Sequence, residues 1–104
     1  MEQQDFAAAL AAIGYPVAYR AFKSAQDPPF LCWFFASGDD FMADNTNYLP
    51  IGNYVIEHYT NEKDPASEEL VEEQLAACGL PFRKSETYID TEKMHLVLYE
   101  IQLI

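Results

Sequence analysis

The chain has 104 residues, half of them hydrophobic and 14% aromatic, with a formal net charge of −11. That length holds a single domain, residues 1–104, which buries roughly two thirds of the surface its unfolded chain exposes. The apolar content excludes intrinsic disorder. Six Lys and Arg against seventeen Asp and Glu exclude a polyanion-binding face, so neither direct nucleic-acid binding nor docking on an anionic membrane is expected.

Phe6, Ala9, Leu10 and Ile13 recur at i, i+3, i+4 and i+7, which predicts an amphipathic helix over 3–13. It closes on Leu10-Ala11-Ala12-Ile13-Gly14-Tyr15-Pro16, a phrase that returns as Leu75-Ala76-Ala77-Cys78-Gly79-Leu80-Pro81. Glycine suits a helix C′ position because the left-handed conformation there is opposed by a Cβ. The proline that follows prevents the helix from continuing and opens an extended segment. Two helix–glycine–proline–strand units therefore frame a strand-rich middle.

Val17 to Phe22 reads as a strand, and Lys23 to Pro29 as a loop ended by two prolines. Phe30 to Phe35 is apolar without a break, the pattern of a strand buried on both faces, and is expected at the centre of the sheet. Ser37-Gly38-Asp39-Asp40 and Pro50-Ile51-Gly52-Asn53 read as turns. Between them, Phe41 to Tyr48 is a partner strand or an irregular arm. Tyr54 to Thr60 alternates, with Tyr54, Ile56 and His58 on one face and Val55, Glu57 and Tyr59 on the other. Asp64 as N-cap and Pro65 at N1 start a second helix that runs to about Cys78. Leu70, Val71, Leu75 and Cys78 are expected inward, and Glu68, Glu69, Glu72 and Glu73 in water. Phe82 to Ile89 and Met94 to Leu103 are two further strands joined by a turn over 90–93. The fold class is α+β, two helices packed on a mostly antiparallel sheet, in the order α-β-β-(β)-β-α-β-β.

Residues for chemistry are few. Cys32 and Cys78 are isolated and read as buried, reduced hydrophobes rather than a disulfide or half of a zinc site. His58 and His95 lack metal-ligand spacing and read as structural. No glycine-rich phosphate loop or nucleophile elbow is present. Asp39, Asp40 and Asp44 lack the glycine and distal glutamate of an EF-hand and read as a solvated turn. No catalytic, cofactor-binding or metal-binding residue is therefore expected. Met1 to Asp5 has no basic n-region, and no apolar run nears eighteen residues. Neither a signal peptide nor a membrane span is expected, and the compartment is expected to be cytoplasmic.

The stretch Phe41-Met42-Ala43-Asp44-Asn45-Thr46-Asn47-Tyr48-Leu49 is too apolar for an idle loop and too irregular for a core strand. It is read either as a simple edge hairpin or as an arm that docks on a neighbouring subunit. In the second case Phe41, Met42, Asn45 and Tyr48 form the interface. A hairpin that extends an edge strand can add to a neighbour's sheet and so build a ring.

Together, Pro16-Val17-Ala18-Tyr19, Pro28-Pro29-Phe30, Phe41-Met42-Ala43-Asp44-Asn45, the run from Tyr54 to Asp64, and Lys84-Ser85-Glu86-Thr87-Tyr88-Ile89-Asp90 carry a resemblance. The chain resembles small phage and prophage proteins of Gram-positive bacteria in the head–tail joining and tail-completion (tail-terminator-like) group. The resemblance implies a virion-assembly subunit rather than an enzyme, with no cofactor. It implies a homo-oligomeric ring, often a hexamer, whose partners are the tail-tube and head-connector proteins. It places the protein in the host cytoplasm during assembly and then in the virion. An acidic ring would repel the DNA passing through it. Two other readings stay open: a monomeric acidic protein-binding module (an inhibitor or adaptor), and a small ligand-binding domain or enzyme. The last would need a pocket of about 300 Å³ or more with converging polar groups.

Overall fold

The computed structural model describes the backbone of residues 1–38, 41–42 and 48–104, and the side chains of 1–38 and 50–104. In chain order the elements are α1 (Gln3–Ala11), β1 (Val17–Tyr19), β2 (Phe30–Gly38), β3 (Phe41–Met42), β4 (Tyr48–Leu49), β5 (Gly52–Thr60), α2 (Pro65–Ala77), β6 (Arg83–Ile89) and β7 (Met94–Leu103). Five strands form one sheet in the order β1-β2-β5-β7-β6, while β3 and β4 pair separately. Only β1 and β2 run parallel in the five-stranded sheet; its other neighbours are antiparallel. This is the expected α+β fold.

The two glycine–proline phrases do what their chemistry requires. After α2, Gly79 sits at φ +70, its N–H donates to the Ala76 carbonyl at 3.0 Å, and the Leu80 N–H reaches the Leu75 carbonyl at 2.9 Å. Those two bonds are the Schellman closure that satisfies orphan carbonyls at a helix end. After α1, Gly14 takes φ +105 and donates to the Ala11 carbonyl at 3.2 Å. At the other end of α2, the Asp64 carboxylate accepts from the Ser67 N–H at 3.2 Å, with Pro65 at the first helical position. The N-cap reading is borne out.

Both helices lie on one face of the sheet. Phe6 and Leu10 of α1 and Val71 and Leu75 of α2 join Leu31, Trp33, Ile56, Val97 and Tyr99 in one buried cluster. The sheet partners Leu31↔His58, Trp33↔Ile56, Ile56↔Tyr99 and His58↔Val97 set which side chains share this face. The helices touch directly through the Gln74 amide, which donates to the Ala9 carbonyl at 2.8 Å.

Three local expectations change. The central strand is β5, which alternates, and the apolar β2 lies between it and β1. β2 is buried on its second face without being central, because Phe22 packs on Phe30 (ring centroids 5.5 Å) and Phe30 stacks on Tyr59 (4.7 Å). β1 stops at Tyr19 because Arg20 takes φ +70, and the Arg20 N–H makes a backbone bond to β2, at the Trp33 carbonyl, at 2.8 Å. In α2, Glu68 is buried at 3% exposure and Leu70 is 46% exposed, the reverse of the expectation.

Candidate functional site

Two regions concentrate features that packing alone does not require. The first is the β2–β5 hairpin and the sheet face away from the helices. β2 and β5 pair from Phe30↔Tyr59 out to Gly38↔Gly52, with a bulge between Phe35 and Ser37. Burial ends before the hairpin does. Phe30 to Trp33 are buried, Phe34 is half-buried, and Phe35 to Gly38 are exposed. The short β3–β4 pair, Phe41↔Leu49 and Met42↔Tyr48, lies between the two long strands in the chain. Of the expected interface residues, Phe41, Met42 and Tyr48 thus fall in a two-stranded hairpin, and Asn45 lies outside the described residues.

On the face opposite the helices, Phe30, Cys32, Phe34, Val55, Tyr59, Leu96 and Leu98 surround one carboxylate, Glu57. Glu57 stands directly across from Cys32 on β2 and Leu98 on β7. Burial pushes its carboxyl above the usual range, partly offset by the Tyr59 hydroxyl and the charge of Arg20. Burial, reinforced by Glu57, pushes the Cys32 thiol up to about 11. The same two causes, burial first, push the Tyr59 hydroxyl up to about 12. Arg20 lies over the Phe34 ring at 5.1 Å. Val55, Phe34 and Leu98 on this face remain half-buried.

The second region is an ionic cluster under the first turns of α2. Lys84, on β6, places its Nζ 2.8 Å from Glu68 Oε1 and 2.8 Å from Glu72 Oε2. Lys63, just before α2, places its Nζ 2.9 Å from Glu68 Oε1 and 2.7 Å from Glu86 Oε2. The Tyr99 hydroxyl donates to Glu72 Oε2 at 2.8 Å. Burial alone would raise the Glu68 carboxyl, but its two lysines outweigh burial and hold it below the usual range. The hydrogen bond from Lys63 likewise lowers Glu86. Lys84 is raised, first by its bond to Glu68 and then by Glu72.

Two histidines complete this cluster. His58 is fully buried, stacks on Tyr15 with ring centroids 5.9 Å apart, and has no hydrogen-bond partner for either ring nitrogen among the described residues. Burial lowers its pKa, so it is held neutral. His95, 9% exposed, brings Nε2 to 4.0 Å from Glu86 Oε1; neither Nε2 nor Glu68 Oε2 has a hydrogen-bond partner among the described residues. The sequence pattern groups His58 with Tyr54 and Ile56 and His95 with Val97 and Tyr99, and the structure shows that face to be the one the helices cover. The pattern misses the acidic and basic partners, because these come from α2, β6 and the turn before α2.

The most voluminous cleft among the described residues lies elsewhere. At about 910 Å³, it lies where the α2–β6 turn, Cys78 to Arg83, meets the ends of β5 and β7. Its ionisable pair, Arg83 and Glu100, consists of direct partners across β6 and β7. The groups with shifted pKa do not line it. A smaller cleft, of about 260 Å³, lies beside Pro28 and Pro29 and includes Lys63 of the ionic cluster. No helix among the described residues is long and apolar enough to cross a membrane.

The sequence matches no family model and no curated protein.

Proposed function

We propose that this chain is a virion-assembly subunit of the head–tail joining, tail-completion kind, which associates with copies of itself through the β2–β5 hairpin and its tip. The observation that carries the reading is the mismatch between pairing and burial in that hairpin. Its ladder continues to Gly38↔Gly52, while β2 becomes exposed from Phe35 onward. β1 pairs only with Leu31 to Trp33, so from Phe34 onward β2 is an edge strand, while β5 keeps β7 on its other side out to Gly52↔Leu103. An open edge of this kind is a template for pairing with another chain. A second copy of the chain pairing along that edge supplies the neighbour that β1 does not. The segment between β2 and β5 in the chain carries the apolar residues Phe41, Met42 and Tyr48, which fit that role, and the net charge of −11 suits a ring around a DNA passage.

The cluster under α2 supports a structural rather than a catalytic role for the ionisable groups. Its carboxylates and ammonium groups are paired with one another and lie away from the 910 Å³ cleft. The tail-tube and head-connector partners, and the ring itself, belong to the same proposal. Negative-stain images of concentrated protein test it. Annular particles are expected from the unmodified chain and not from Phe41→Ala/Tyr48→Ala. A field of single small particles from both would favour the monomeric acidic binding module instead.

A further inference from the structure

We propose that Glu68, Glu86 and His95 form a divalent metal site of the zinc type that ties α2 to β6 and β7. One ligand atom from each of the three lies within 4.8 Å of the other two. Glu86 and His95 approach because Tyr88, not Glu86, is the register partner of His95, which leaves them diagonal neighbours on the helix-side face. Glu68 enters from above, in the first turns of α2.

The existing ion pairs leave the atoms a metal would use. Lys63 holds Glu68 Oε1 and Glu86 Oε2, and Lys84 holds Glu68 Oε1 again. Glu68 Oε2 and His95 Nε2 have no hydrogen-bond partner among the described residues, although both side chains are about nine-tenths buried or more. Glu86 Oε1 faces His95 Nε2 at 4.0 Å. An unpartnered imidazole nitrogen and an unpartnered carboxylate oxygen buried together carry a desolvation cost that a shared cation removes.

Charge points the same way. Glu68, Glu72 and Glu86 against Lys63 and Lys84 leave the cluster at −1 when His95 is neutral. A divalent cation that displaces the Lys63 ammonium brings it to zero. Lys63 can leave, because 45% of its side chain is already in solvent, and Glu86 is equally open and gives the ion a path in. Ligands around a tetrahedral zinc sit about 3.4 Å apart for bonds of about 2.1 Å, so the three groups need to close only modestly. One imidazole with two carboxylates favours Zn²⁺ over Mg²⁺ or Ca²⁺, which prefer oxygen alone.

Calorimetric titration of metal-stripped, tag-free protein with Zn²⁺ tests the site. One ion per chain is expected, bound at least about tenfold more weakly by Glu86→Gln and by His95→Gln, and more tightly by Lys63→Met. Glu86 is exposed enough that its substitution leaves the fold intact, so E86Q decides the matter if the His95 variant does not fold. No saturable uptake, equal uptake by E86Q and the unmodified chain, or Ca²⁺ binding as tight as Zn²⁺ would overturn the proposal. Thiol binding at Cys32 or Cys78 would be the same in E86Q, and so gives the overturning result.

Discussion

Glu68 Oε1 accepts from two lysines at once, Lys63 at 2.9 Å and Lys84 at 2.8 Å, although its side chain is only 4% exposed. A carboxylate taken this far out of water survives as an anion only because opposite charges meet it there. The pair joins β6 to α2 across the edge of the sheet.

Removing the acceptor should therefore cost more than a surface ion pair. Glu68→Ala is expected to destabilise the fold by about 1–3 kcal/mol, the low side of a broken buried pair because Lys84 keeps a third of its side chain in water. Urea denaturation measures this. Leu70→Ala, at a position 46% exposed, should cost far less.

Those two residues show where the sequence was and was not legible. The two glycine–proline phrases, the Asp64 cap, both helices and the alternation of β5 all follow from local chemistry, and each stands in the structure. Glu68 and Leu70 exchanged places because a helical stripe drawn from hydropathy takes the leucine and rejects the carboxylate. The stripe that packs runs through Ser67, Glu68, Val71 and Leu75. What makes Glu68 acceptable inside is Lys63 together with Lys84, and Lys84 lies sixteen residues later on another strand, where no local pattern reports it. The same holds for Glu68, Glu86 and His95, which three different elements bring together. Strand order was hidden for a related reason. A run such as Phe30 to Trp33 shows that both faces are covered, but not whether a sheet or a loop edge covers them.

Stability should fall in acid in two stages. His58 is held neutral with its pKa below 6.5, so the unfolded chain takes up its proton first and stability drops as pH falls below about 6.5. Glu68 and Glu86 have lowered pKa values, so their contribution is present above about 4.5 and is lost as pH falls through their folded values. Glu57 acts in the opposite sense: its raised pKa means that protonation relieves a cost of burying the anion. Thermal melts across pH should show the upper stage flattened in His58→Phe and the lower stage retained. An unchanged upper stage in that variant would contradict the assignment to His58.

Cys32 should be inert in the folded protein. It is 4% exposed and its thiol is pushed up to about 11, so little thiolate is present or accessible at neutral pH. Mass spectrometry after iodoacetamide treatment should find Cys32 unmodified in native protein and modified in denaturant. Rapid native labelling of Cys32 would show that the open sheet face is looser than its packing implies.

Gly79 needs its left-handed conformation and not its small size, since a Cβ there would meet nothing within 4 Å. Gly79→Ala is expected to cost about 1–2 kcal/mol, the backbone term alone. Gly79→Asn should cost less, because asparagine tolerates this region. Equal stability of all three proteins by denaturant titration would remove the Schellman closure from the account.

The proposed association of two or more copies through the open β2 edge and the segment after it sets the mass of the particle in solution. Light scattering after size exclusion, over a wide range of protein concentration, reads that mass. A discrete multiple of the 11.9 kDa subunit is expected, more populated as concentration rises and lost in Phe41→Ala/Tyr48→Ala. A mass of one subunit at every concentration, for the unmodified chain and the variant alike, would contradict that association.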